Sequence, residues 1–95
     1  MKIRFSPRAR DDLRSAVEYV AARNTIAAAE LRDHLLATIE SLARGEFEGA
    51  EVRLRSGAAV RSWPAVAYRI YYQRSAGTLR VVRVYHQARR PIAKK

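Results

Sequence analysis

The chain predicts an α+β domain of order β-α-α-β-β-β, in which a helical hairpin packs on one face of a small, mostly antiparallel sheet. Three observations lead there. Apolar residues recur at helical spacing over residues 7–44. Only Asn24-Thr25 interrupts that stretch, so the two helices must fold back on each other. Residues 59–86 are instead rich in Val, Ile and Tyr and divided by turn residues. A length of 95 residues leaves room for one core, expected over 1–90, with a basic tail at 91–95.

Lys2-Ile3-Arg4-Phe5 alternates charged and apolar residues, which suits a short strand. Ser6-Pro7 then reads as an N-cap followed by proline at the first helical position, where its missing N–H breaks no bond. Ala9, Leu13, Ala16, Val17 and Val20 mark the inner face of a helix over 7–23. Asp11 and Asp12 lie near its positive end. Thr25 is expected to cap a second helix, whose stripe is Ala28, Leu31, Leu35, Ile39 and Leu42 and which ends at Arg44-Gly45. Residues 46–58 are polar and weakly patterned, a loop with at most a short extended piece at 51–54. Strands follow at Ala59–Trp63 and Val66–Arg74, separated by Pro64-Ala65. Ser75-Ala76-Gly77 turns into Leu79–His86, the clearest strand of the chain.

Lys and Arg number 19 against 9 Asp and Glu, a formal charge of +10, but the placement says more. Residues 1–51 carry every acid and eight basic residues, net −1, whereas residues 52–95 carry eleven basic residues and no acid, net +11. A polyanion or an acidic protein is the expected partner. The absence of Cys removes disulfides, thiol nucleophiles and zinc ribbons, and with only two His a His-based metal site would need carboxylates that the second half lacks. No cofactor or metal is expected. No apolar stretch approaches a membrane span, and the expected location is the cytoplasm, with no membrane partner.

The acids are read as solvated helix and loop charges, with Arg14 and Glu18 as an i,i+4 pair. His34 is read as a half-buried structural histidine beside the second helix's stripe. His86 differs, because it closes the last strand and opens the cluster Tyr85-His86-Gln87-Ala88-Arg89-Arg90, where an imidazole beside guanidinium groups could act as base or acceptor. Alternation puts Ala67, Arg69, Tyr71 and Gln73 on one face of their strand; in the next it puts Arg83 and Tyr85 with Leu79 and Val81, and His86 with Arg80, Val82 and Val84. Both faces are mixed, so periodicity does not say which is the core. With Arg61, Arg69 and Arg83 on an open side of the sheet, a basic, tyrosine-interleaved surface would suit RNA or an anionic protein.

Four phrases in this order, Phe5-Ser-Pro-x-Ala-x-x-Asp-Leu13, Val17-Glu-Tyr19, Tyr68-Arg-Ile-x-Tyr72 and Val81-x-Arg-Val-x-His86-x-Ala-Arg-Arg90, resemble the RelE/ParE superfamily of type II toxins. The resemblance spans about residues 3–90 and leans to the ParE branch through its opening and its ending. It implies a small bacterial toxin held inactive by a cognate acidic antitoxin. A ParE-like toxin would act by binding DNA gyrase, with Arg61, Arg69, Arg83, Tyr85, His86, Arg89 and Arg90 as target-binding candidates. The RelE-like alternative is a ribosome-dependent mRNA endonuclease with Arg69, His86 and Arg89 as catalytic candidates. Against it, Val60-Arg61-Ser62 stands where RelE-type enzymes carry a lysine pair, and Pro91, not tyrosine, follows Arg90. A third reading, a plain nucleic-acid-binding module, fits neither common RNA-binding element order.

Overall fold

A computed structural model describes residues 1–88. Its elements are β1 (Lys2–Phe5), α1 (Pro7–Ala21), α2 (Thr25–Ala43), β2 (Ala50–Arg53), β3 (Ala59–Ala65), β4 (Tyr68–Ser75) and β5 (Thr78–His86). The strands form one mixed sheet of order β1-β5-β4-β3-β2. β1 runs parallel to β5, and the other pairs are antiparallel. Both helices lie on one face. No helix among the described residues is long and apolar enough to cross a membrane.

The helix ends follow local chemistry. Ser6 Oγ accepts from the Ala9 N–H at 3.0 Å, capping α1 as expected, with Pro7 in the first turn. Asn24, not Thr25, caps α2, its side-chain oxygen accepting from the Ala27 N–H at 2.9 Å. Thr25 is already helical, so its hydroxyl lies one residue too late to reach the free amides. At the other end Gly45 takes φ +75°, and the N–H groups of Gly45 and Glu46 return to the Leu42 and Ser41 carbonyls. This reciprocal pair closes the last turn and needs a residue without a Cβ penalty at Gly45.

The strands depart from the sequence reading in three places. Ala50–Arg53 is a full strand, pairing with Ala59–Ser62, so four strands follow the helices. Its side chains carry little apolar signal because it is an edge strand, mostly exposed. Pro64 does not interrupt β3. β2 begins at Ala50, opposite Ser62, so Pro64 lies beyond the β2 pairing, where β3 is an edge and a missing N–H disturbs no inner ladder. Val66 and Ala67 form a two-residue turn, and β4 begins only at Tyr68. Val66 takes φ +55°, a conformation that a β-branched side chain disfavours.

The core lies between sheet and helices. Leu35, Ile39 and Leu42 of α2 are wholly buried with Ile70 and Tyr72 of β4 and Leu79 and Val81 of β5. Ala9 and Ala16 bring α1 close to the sheet, and Ile3 and Phe5 of β1 close the flank. A smaller cluster of Leu54, Val60 and Tyr71, with Val82 and Tyr85, packs on the opposite face. His34 is exposed, not half-buried, because the stripe of α2 turns past it.

Candidate functional site

One irregularity decides where the candidate residues point. Tyr71 pairs with Arg83 but Tyr72 pairs with Val81, so Val82 is an extra residue in β5, a β-bulge. Before it, Leu79 and Val81 face the helices. After it, Val84 and His86 do, while Arg80, Val82, Arg83 and Tyr85 face the other way. Strict alternation had grouped Arg83 and Tyr85 with Leu79 and Val81, and His86 with Arg80 and Val82. The bulge shifts the phase by one residue and corrects both groupings.

The candidates therefore do not form one surface. Arg69 and Tyr85 are paired neighbours on the open face, and the Arg69 guanidinium donates to Ser62 Oγ. Arg61 pairs with Tyr72 on the helix side, where it donates to the Gly49 carbonyl at 2.8 Å. His86 also lies on the helix side, its ring edge-on to Tyr68 at 5.0 Å between centroids. Its Nδ1 accepts from the Ala88 N–H at 3.0 Å. Arg69 and His86 thus project to opposite faces. Arg89 and Arg90 lie outside the described residues.

Arg83 is held by the structure rather than offered to solvent. Its Nε donates to one oxygen of Asp12 at 2.7 Å and its terminal nitrogen to the other at 3.1 Å. Both side chains are about 15% exposed. Those bonds raise the Arg83 guanidinium against the opposing effect of burial. Asp12 was read as a solvated helix charge, and its place follows from the sheet. β1 ends opposite Val81, so beyond that point one edge of β5 lacks a strand partner. α1 supplies substitutes, with Ser6 Oγ donating to the Val82 carbonyl at 2.7 Å and Asp12 accepting from the Val84 N–H at 3.1 Å. Arg14 likewise pairs with Asp11, not Glu18.

A second cluster centres on Glu48, also read as solvated. Tyr72, wholly buried, donates its hydroxyl to Glu48 at 2.6 Å and accepts from the Gly49 N–H at 2.7 Å. Arg74 reaches the same carboxylate at 3.0 Å and the Leu42 carbonyl of α2 at 2.6 Å, while Arg61 stands 3.6 Å away. Burial alone would raise the Glu48 carboxyl, but the bonds from Tyr72 and Arg74 and the nearby charges outweigh it and hold the group below its usual value. Burial, and then the bond to Glu48, pushes the Tyr72 phenol up. This cluster sets one carboxylate against two arginines of the basic half and ties the loop before β2 to the sheet.

One uncompensated pair of arginines has no signal in the sequence. Arg8 and Arg80 are exposed and engage no partner among the described residues. With Arg55 they rim a cleft of about 420 Å³ between the start of α1 and the β2–β3 turn. Arg8 belongs to the near-neutral half, and no sequence pattern links it to Arg80. Only the register of β5 against α1 brings them together.

Residues 3–91 match the family described as the ParE toxin of the type II toxin-antitoxin system parDE. Among solved structures the chain is similar to one titled "Chromosomal ParDE TA system from P. aeruginosa", with a TM-score of 0.71. That alignment covers 90% of this chain and 95% of the other at 12% identity, a likeness of fold. No curated protein matches the sequence. The element order, the Asp12–Arg83 tie between its opening and closing phrases, and a family match over nearly its whole length lead to one conclusion: the chain belongs to the ParE toxin family of type II toxin–antitoxin systems.

Proposed function

We propose that this toxin arrests growth in the bacterial cytoplasm by binding and inhibiting DNA gyrase, and that a cognate acidic antitoxin neutralises it. The observation that carries the choice of a binding mechanism is the division of Arg69 and His86 between opposite faces of the sheet. A cation to stabilise a phosphorane and a base to activate a 2′-hydroxyl must converge on one phosphodiester. The open face around Arg69 and Tyr85, followed in sequence by Arg89 and Arg90, is the surface assigned to the target. The net +11 of residues 52–95 favours a partner bearing carboxylates or phosphates.

The test adds the purified protein to gyrase and relaxed plasmid, and in parallel to a translating extract. Loss of supercoiling with intact mRNA is the expected result, reversed by the acidic protein encoded beside the toxin. Cleaved mRNA with unchanged supercoiling would overturn the reading in favour of ribosome-dependent endonuclease activity.

A further inference from the structure

The sheet ends in β1 on one side and β2 on the other, and the two edges differ in charge pattern. β1 carries Lys2 and Arg4 on either side of Ile3, both exposed. An antiparallel copy centred on Ile3 would set lysine against arginine, like charge on like, which protects that edge from self-pairing. β2 carries Glu51 and Arg53 on either side of Val52, again both exposed. Glu51 is the one acid in any strand among the described residues. The backbone phase of β2 matches its charges. The Leu54 N–H donates inward to the Ala58 carbonyl at 2.9 Å, across the turn into β3. Alternation then turns the backbone groups of Val52 toward β3 and those of Glu51 and Arg53 outward, to an edge with no strand beyond it among the described residues.

We infer that two copies of this chain pair antiparallel through β2, about a two-fold axis at Val52, so that one five-stranded sheet continues into the other. Glu51 then faces Arg53 of the second copy, and Arg53 faces its Glu51. Each such pair exchanges both N–H···O bonds through the outward groups and sets carboxylate beside guanidinium on the helix side of the sheet. On the open face, Val52 of each copy packs with Leu54, Val60 and Tyr71. The axis brings the two Val52 side chains together and joins these small apolar clusters into one. A strand of four residues makes a small contact, and a charge of +10 on each copy opposes it at long range, so the dimer is weak and transient. The pairing uses neither Arg69 nor Tyr85, so it holds or fails independently of the proposed target.

Sedimentation of the whole protein at about 10–500 µM, in about 0.15 M salt to screen the long-range repulsion, should show a monomer–dimer equilibrium. E51R makes both facing pairs repulsive and should weaken the dimer about thirtyfold, the effect of two exposed pairs each turned from attraction to repulsion. R53E should act alike. The charge swap E51R/R53E should restore association, and so should an equimolar mixture of the two single variants, whose edges complement each other. R53E also gives up the 2.7 Å bond from Arg53 to the Gly57 carbonyl. The swap gives it up too, so recovery there reports the pairing alone, and thermal melts of each variant separate lost association from lost folding. A monomer at every concentration would overturn the inference and leave this edge to a strand of another protein. A dimer that E51R leaves intact would overturn it by placing the contact on another face. Failure of both the swap and the mixture to restore association would overturn it as well.

Discussion

Removing the Asp12 carboxylate should loosen α1 from the sheet more than any other single change at an acid. Asp12→Ala leaves the Arg83 guanidinium about 16% exposed without a counter-charge, and leaves the Val84 N–H without its acceptor. Breaking a buried pair by deleting one partner costs about 3–5 kcal/mol, and the residual exposure here places the loss near ~3 kcal/mol. For a domain of this size that corresponds to a fall in Tm of about 15 °C. Asp12→Asn keeps an acceptor for Val84 and should cost about half as much, ~1.5 kcal/mol. The double variant D12L/R83M replaces the pair by apolar side chains and should recover most of the loss, giving a coupling energy of about 1.5 kcal/mol or more across the cycle. Thermal melts of the four proteins supply the numbers. A fall of under ~3 °C for D12A, the behaviour of a surface ion pair, would refute the reasoning and return Arg83 to the candidates for target contact.

Three further outcomes follow from the geometry. Gly49→Ala should destabilise by about 3 kcal/mol, the upper range for overpacking, because a Cβ there overlaps the Ser62 carbonyl, whose carbon would lie 2.7 Å away; an unchanged urea midpoint would show that β2 and β3 can separate freely. The Glu48 carboxyl is lowered in the folded chain, so its stabilisation is present above the ordinary value of 4.5 and is lost as pH falls through the folded value. Tm should therefore drop on acidification below pH 4.5 and Glu48→Gln should flatten that drop, whereas equal acid limbs would contradict the assignment. Val66→Asn should raise Tm by about 4 °C, roughly 1 kcal/mol of relieved left-handed strain, since asparagine tolerates that conformation; a lower Tm would mean that the exposed valine contributes packing that outweighs its strain.

Much of the fold was legible because local chemistry and periodicity agreed. Ser6-Pro7 marked the start of α1, and Arg44-Gly45 the end of α2. The family phrases proved to be structural: Ser6, Ala9 and Asp12 of the first dock against Val81, Arg83 and Val84 of the last. What stayed hidden depended on pairing between distant residues. An edge strand such as β2 needs no apolar face. A bulge adds a residue that leaves no mark in composition, yet it reverses every side chain after Val82 and so misplaced His86, Arg83 and Tyr85. Glu48 and Asp12 looked like solvated acids because their arginine partners lie 26 and 71 positions away. The cleft around Arg8 and Arg80 was hidden for the same reason.

The parallel pairing of β1 with β5 has a consequence for when the protein can exist at all. The Ser6 hydroxyl meets the Val82 carbonyl across 76 positions, so the first strand made finds its partner only when the last is complete. A chain emerging from the ribosome can form the α1–α2 hairpin early, from local contacts alone. Leu79 and Val81, which close the core over that hairpin, belong to the last strand in chain order and are made well after it. Until β5 has been made, the apolar face of the hairpin stays uncovered. The newborn toxin is thus an open hairpin before it is a weapon, and a partner present during synthesis would meet the hairpin first.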